Sequence, residues 1–320
     1  MRKAWCGIAL IAGLGIPGVA LAQEEIGGAD AAGRAGASVA LPTADAALFS
    51  NPAGASFTDN LVTGVLWQLE PSFGNKLTAF AVDGTAPAVD GGVAAITTFS
   101  DEETRVETRT VASVPFGSRF SLGVTQTTLF RSSLPKGERT FLSADAGAAL
   151  LLGNRFSVGV SALNLANSRV EDRPRLLLGG LSFSLRRLRF LAEGGLDITP
   201  DQDTKALVRG AAEWLELGPL ALRGGYSFDT RSPDAAGTNR QTASLGLTYH
   251  DERSTFDIAY EQRLAGDGPS RLTVGIRFFL PGMNGAKPPW AAAAANAPAT
   301  VAPNGYRGAT QTPGYSGTTK

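Results

Sequence analysis

A two-residue hydrophobic alternation recurs along the middle of this chain, and after the N-terminus no apolar run approaches the ~20 residues of a membrane helix. A period of two places successive side chains on opposite faces of a strand. In the last such segment Leu272, Val274, Ile276, Phe278 and Leu280 share one face, opposite Arg271, Thr273, Gly275, Arg277 and Phe279. Leu188, Phe190, Ala192, Leu196 and Ile198 oppose Arg187, Arg189, Glu193 and Asp197, and Leu220, Leu222, Tyr226 and Phe228 oppose Arg223, Ser227 and Asp229. Segments at 156–161, 244–249 and 256–261 repeat the pattern. A sandwich with its apolar face inward would alternate too. Here, however, the polar face carries Arg, Glu and Gly in mid-strand, and the connections alternate in length. Those near 115–118, 153–154, 186–187 and 215–219 are tight, and those at 131–138, 167–174, 229–239 and 263–270 are longer. Short turns on one side and longer loops on the other describe a membrane barrel whose short turns are periplasmic.

The sequence therefore predicts an all-β chain forming a transmembrane antiparallel β-barrel of about 14 strands. The strands are expected to start at residues 60, 76, 91, 104, 118, 138, 154, 174, 187, 203, 218, 239, 253 and 270. That allows about 16 residues per strand and connection, against the 9–11 that cross a bilayer. A count of 12 follows if 76–100 pairs differently. Gln126 falls on the apolar face of the strand from Ser118, which a bulge there would repair.

Composition narrows the chemistry. With 29 basic and 29 acidic residues the chain lacks the basic surplus of a nucleic-acid binder. One Cys and one His exclude a disulfide framework, a Cys-based zinc site and any centre built on several His ligands, so neither metal nor cofactor is expected. Arg2 and Lys3 precede an apolar stretch from Ala4 to Ala22 that ends in Ala-Leu-Ala, a secretory signal peptide whose cleavage leaves Gln23 first and removes Cys6. Residues 23–59 are rich in Ala and Gly, residues 60–280 carry the alternation, and residues 281–320 form a Pro/Gly/Ala-rich tail expected to be disordered.

Two resemblances follow from these residues. Thr273, Gly275, Phe278 and Leu280 resemble the assembly signal of bacterial outer-membrane barrels, although 40 residues follow it. That implies residence in the outer membrane of a Gram-negative bacterium, with its lipid and the barrel-assembly machinery as partners. The Ala32-Gly33-Arg34-Ala35-Gly36 start, the Ala44-Asp45-Ala46 step and the turn Asn51-Pro52-Ala53-Gly54 resemble the FadL-type transporters of fatty acids and other hydrophobes, and equally the PorV-type barrels of secretion systems. In that family this segment folds into the lumen as a hatch. Asn51 suits a turn start because its side chain caps its own backbone and Pro52 fixes φ. The resemblance implies passive transport of hydrophobic small molecules such as long-chain fatty acids. The alternative is a non-transporting barrel that anchors a secretion, motility or surface-assembly complex, and a general diffusion pore is a third reading.

No catalytic residue is expected. The one base for nucleophilic catalysis would be His250, which reads as a solvated turn residue at the periplasmic rim. Arg187, Arg189, Glu193, Asp197, Arg209, Glu213, Arg223, Asp257, Glu261 and Arg277 are expected to face the lumen as a network of opposite charges. Trp67, Trp214, Tyr226, Tyr249 and Tyr260 read as interfacial girdle residues. Tyr306 and Tyr315 suggest a periplasmic docking role for the tail.

Overall fold

The computed structural model describes residues 27–280 apart from 42, 71–73, 87, 101–103, 134–139, 167–172, 201–204, 218, 232–236, 252 and 267–269. The signal peptide expected at 1–22 and the tail expected at 281–320 lie outside the described residues. Fourteen antiparallel strands form one closed ring, so the alternative count of 12 is set aside. They are β1 (Leu61–Leu69), β2 (Asn75–Asp83), β3 (Asp90–Phe99), β4 (Thr104–Phe116), β5 (Phe120–Arg131), β6 (Thr140–Leu152) and β7 (Phe156–Leu163). The ring continues through β8 (Leu176–Leu185), β9 (Leu188–Asp197), β10 (Lys205–Leu217), β11 (Leu220–Asp229), β12 (Arg240–His250), β13 (Ser254–Ala265) and β14 (Arg271–Leu280). Each strand pairs with its sequence neighbours, and β1 pairs with β14 from Leu61↔Leu280 to Leu69↔Leu272. Closure leaves no strand edge, which satisfies every ladder hydrogen bond without water.

The side-chain period does the sorting. Val124, Leu142, Leu181, Val208 and Leu245 point out of the ring, while Ser121, Thr125, Ser161, Arg189, Glu213 and Arg223 are buried inside it. Trp67, Phe130, Tyr226 and Tyr260 lie outward toward the long-loop ends of their strands, and Phe116, Phe156, Trp214, Tyr249 and Phe256 toward the short-turn ends. These are two aromatic girdles flanking an apolar band. Phe156 and Phe183 stack across β7 and β8 with ring centroids 4.6 Å apart.

One expectation fails here. β5 pairs without interruption with β4 and β6, through Thr110↔Gln126 and Gln126↔Ala144, so there is no bulge at Gln126. A register unbroken on both sides keeps the period of two, and Gln126 therefore points outward with Val124 and Thr128.

The N-terminal segment runs inside the ring. It comprises α1 (Ala29–Ala32), α2 (Ala44–Phe49) and a 3-10 helix (Pro52–Phe57), and almost all its described residues are buried. Phe49, Leu48 and Ala55 pack with Val62, Leu66, Phe80, Val82, Ile96 and Val111 of β1–β4. An arginine at the middle of the outer band tests the lipid-facing assignment. Leu245→Arg is expected to cost about 2–4 kcal/mol of folding stability, read from urea titration in lipid vesicles; no loss would refute an outward, mid-bilayer Leu245.

Candidate functional site

The candidate site is the interface between the N-terminal segment and the inner wall. The chain passes Thr43, whose Oγ1 accepts from the N–H of Ala46 at 3.3 Å and caps α2. It then turns at Asn51, whose Oδ1 accepts from the Ala53 N–H at 3.2 Å, while Pro52 opens the 3-10 helix. The amide of Asn51 reaches further, donating to the carbonyls of Val39 (2.9 Å) and of Ala148 on β6 (3.0 Å). The wall opposite has to be bare for this: a Cβ on Gly147 would lie 2.2 Å from Asn51 Oδ1. Gly225 on β11 does the same for Arg34, whose backbone carbon would lie 2.4 Å from an added Cβ.

Charge fixes the segment on its other side. Glu213 of β10 accepts from three guanidiniums: Arg34 Nη1 at 2.9 Å, Arg223 Nε at 2.7 Å and Arg189 Nη1 at 3.0 Å. Arg34 belongs to the segment, the other two to the wall, so one carboxylate ties them together. Arg34 also donates to Asp30 (3.1 Å) and to the carbonyl of Ala37 (3.1 Å). Glu193 of β9 accepts the consecutive backbone N–H groups of Ser38 and Val39, both at 3.0 Å, and Arg209 Nη1 at 2.7 Å. Arg277 bridges Asp257 (2.7 Å) to Asp45 (3.5 Å) and Asp30 (3.6 Å) of the segment. Arg223 completes the circuit on Asp257 at 3.2 Å. On the opposite wall Arg109 donates to the carbonyl of Leu48 at 3.1 Å and lies over the ring of Phe49. Such charges are tolerable in a dry lumen only while they are paired.

Asp30 and Asp45 meet in this network and divide one charge. Burial acts to raise both. At Asp30 this is outweighed by Arg34, a hydrogen bond with Asp45, and the charges of Arg277 and Arg223, which hold its carboxyl well below the usual range. At Asp45 burial, the Asp30 charge and the shared hydrogen bond prevail over Arg277 and Arg34, and its pKa is pushed up to about 7. Among the described residues Asp45 Oδ2 accepts no hydrogen bond, which suits a carboxyl that carries the shared proton.

The sequence-derived residues sort unevenly. Arg189, Glu193, Arg209, Glu213, Arg223, Asp257 and Arg277 converge on the segment, whereas Glu261 pairs with Arg271 at 3.5 Å away from it. Arg187 lies exposed in the turn between β8 and β9, and Asp197 accepts from Thr199 beyond the end of β9, at 2.6 Å from its hydroxyl. Neither reaches the segment, because each sits at a strand end where the inward face gives way to a connection. Thr273 and Gly275 point inward on β14, Phe278 and Leu280 outward, and Gly275 lies against Leu66 and Ala29. His250 ends β12 at the short-turn rim, its backbone N–H on the Pro219 carbonyl (2.7 Å).

Sequence reasoning passed over Asp30, Asp45, Glu107 and Arg109 as charge partners, although the i, i+4 spacing of Asp30 and Arg34 was visible. It also passed over an inward apolar patch. Leu163, Leu176, Leu178 and Leu207 face the lumen at the long-loop ends of β7, β8 and β10 and pack with Val39 of the segment. The unbroken Leu176-Leu177-Leu178 run, apolar on both faces, was its signal.

No protein-family model matches the chain, and no curated protein matches its sequence. Among solved structures, a Pseudomonas aeruginosa FadL homologue is similar at 13% identity and a TM-score of 0.55, over 81% of this chain and 98% of that one. The Pseudomonas putida toluene transporter TodX is similar at 12% and 0.57, over 81% and 98%. The Ralstonia pickettii toluene transporter TbuX is similar at 10% and 0.58, over 79% and 98%. At these identities the likeness establishes the fold alone, a closed β-barrel like that of the FadL homologue and the two toluene transporters.

Two outcomes test the site. Glu213→Gln leaves three arginines around a neutral amide, and is expected to cost about 3–5 kcal/mol in protection of the segment, read as faster amide hydrogen exchange across residues 29–41; unchanged exchange would remove Glu213 as the anchor. The second outcome concerns pH. The folded chain holds the Asp45 proton more tightly than the unfolded chain, where Asp45 titrates at 3.8. Its stabilising contribution is therefore fully present below about pH 4 and is lost as pH rises through about 7. Exchange protection of α2, corrected for intrinsic rates, should fall between pH 5 and 8 in the wild type and stay flat in Asp45→Asn.

Proposed function

We propose that this barrel passes hydrophobic small molecules, such as long-chain fatty acids, passively across the outer membrane of a Gram-negative bacterium, and that residues 27–58 are its hatch. One observation carries the reading: at the long-loop ends of β7, β8 and β10 the lumen wall carries an apolar patch of Leu163, Leu176, Leu178 and Leu207, with Val39 of the segment against it. A water-filled channel has a polar interior. A leucine patch in the wall instead offers an apolar solute the burial it gains on leaving water, about 25 cal/mol per Å².

In this mechanism the solute enters among the leucines and displaces Val39 and its neighbours. Ser38 and Val39 then release Glu193, and the strain passes to the Arg34–Glu213 tie. Glu193 keeps Arg209 as a partner and Glu213 keeps Arg189 and Arg223, so neither carboxylate is left alone in the wall. That residual pairing makes a hatch on charged contacts reversible. The fold likeness to a FadL homologue and to two toluene transporters supports the same reading.

The anchoring alternative draws on the connections. The longest at the long-loop rim, between Leu163 and Leu176, has 12 residues, too few to build a large capture groove. A locked hatch separates the two readings. A Cβ on Gly180 of β8 would lie 3.3 Å from that of Ala40, near the ~3.8 Å mean of a disulfide. The double variant Ala40→Cys/Gly180→Cys is expected to abolish uptake of a radiolabelled fatty acid when oxidised and to recover it with reductant. Uptake that ignores the lock refutes the hatch, and a deletion strain with undiminished uptake favours the anchor.

A further inference from the structure

Gln126 is exposed on the outer face of β5, six residues beyond Phe120 and four before Phe130, the outward aromatics at the two ends of the strand. At ~3.3 Å per residue and a tilt of ~40° those rings lie ~25 Å apart along the membrane normal, the height of the apolar band. The amide is therefore inside the hydrocarbon layer, well short of either rim. Its cross-strand partners are Thr110 on β4 and Ala144 on β6, and Thr108 pairs with Thr128 one step along the same face. Three hydroxyls and one amide thus form a polar patch where most outward positions of the ring are Val, Leu, Ile, Phe, Ala or Gly.

A Thr hydroxyl can bond back to its own backbone, but a Gln amide cannot dispose of its two donors and two acceptor lone pairs that way. Two other outward glutamines show the local solution: Gln241 accepts from the Tyr226 hydroxyl at 2.7 Å and Gln262 from that of Tyr260 at 2.8 Å. Gln126 has no such tyrosine and makes no side-chain hydrogen bond among the described residues. Acyl chains offer it neither donor nor acceptor, so it is satisfied only by another protein surface at that depth.

We propose that the outer face of β4, β5 and β6 around Gln126 is a contact between two copies of this chain within the membrane, with the two Gln126 amides paired across a two-fold axis along the membrane normal. The primary amide is self-complementary, one carbonyl and one N–H from each copy closing a ring of two hydrogen bonds, which is what an isologous interface requires. Beside the larger Val124 and Leu142, several outward positions next to it are small: Ala112 on β4 and Ala144, Ala146 and Ala148 on β6. Their size lets a second sheet approach closely enough for the amides to meet, as small residues do between membrane segments. Thr108 and Thr110 stand within reach as further partners for the facing copy.

The test has two parts. Wild-type protein in density-matched micelles is expected to sediment as a dimer, and Gln126→Leu, with its heat-dependent gel shift retained, to dissociate about tenfold more readily. In a Cys6→Ser background, Gln126→Cys in native membranes is expected to cross-link on mild oxidation to a product of twice the chain mass. Leu245→Cys on β12, seven strands away on the opposite side of the ring, should give none. A wild-type monomer, no effect of Gln126→Leu, or equal cross-linking from residue 245 would overturn the proposal. A cross-link to a product of any other mass would also overturn it, by assigning the patch to a different protein.

Discussion

The carboxylate of Glu213, held by three arginines, is the interaction on which the inside of this barrel depends. Closing fourteen strands creates an interior that must be filled, and in this chain the filling is its own N-terminal segment. That segment has few large side chains with which to pack. It is held at one end by apolar contacts of Phe49 and Leu48 with β1–β4, and at the other by Arg34 reaching Glu213. Arg189 and Arg223 approach the same carboxylate from neighbouring strands, so the wall would be over-positive without it. A buried cluster of this kind adds little net stability over an apolar core, but breaking one member is costly. The consequence is a segment that is specifically placed and bound by contacts that can be exchanged.

The wall differs from place to place for the same reason. Toward the short-turn ends of β9, β10, β11, β13 and β14 it is charged and the segment supplies Asp30, Arg34 and Asp45 to match it. At the long-loop ends of β7, β8 and β10 it is leucine and the segment supplies Val39. Between them Glu193 accepts two successive backbone N–H groups, a carboxylate doing for an irregular segment what a strand would do in a ladder. The shared proton of Asp30 and Asp45 follows from crowding: with Arg34 paired to Asp30 and Arg277 a little farther from both, two adjoining carboxylates in a dry site favour one ionised and one protonated acid.

Much of the wall was legible. All fourteen strands begin within two residues of the positions read from alternation and turn spacing, because a strand between lipid and a polar lumen must alternate to exist. The same rule misled at Gln126. There an outward polar residue reads as a defect of register, whereas the ladder runs straight through it. It also concealed the inward leucines of β8, since alternation assigns apolar side chains to lipid. Among the charges, Arg189, Glu193, Arg209, Glu213 and Arg223 were legible from parity alone. Arg187 and Asp197 obey the same parity but sit where the strands end.

The sequence by itself determined the barrel and the alternation of its two faces, because these depend on a period of two and on connection length, both local properties of the chain, whereas fourteen strands over twelve was decided by the closed ring. The motif from Asn51 to Gly54 likewise specified its own turn, through the short side chain of Asn51 and the fixed φ of Pro52. Which charges meet was decided only by the tertiary structure. Arg34 and Glu213 are 179 residues apart, and no local rule selects that carboxylate over Glu193 on the adjacent strand, where Glu193 pairs with Arg209 of β10. The choice is made by how deep the segment seats, and that depth depends on wall glycines such as Gly147 and Gly225, whose missing side chains mean nothing until another backbone lies against them.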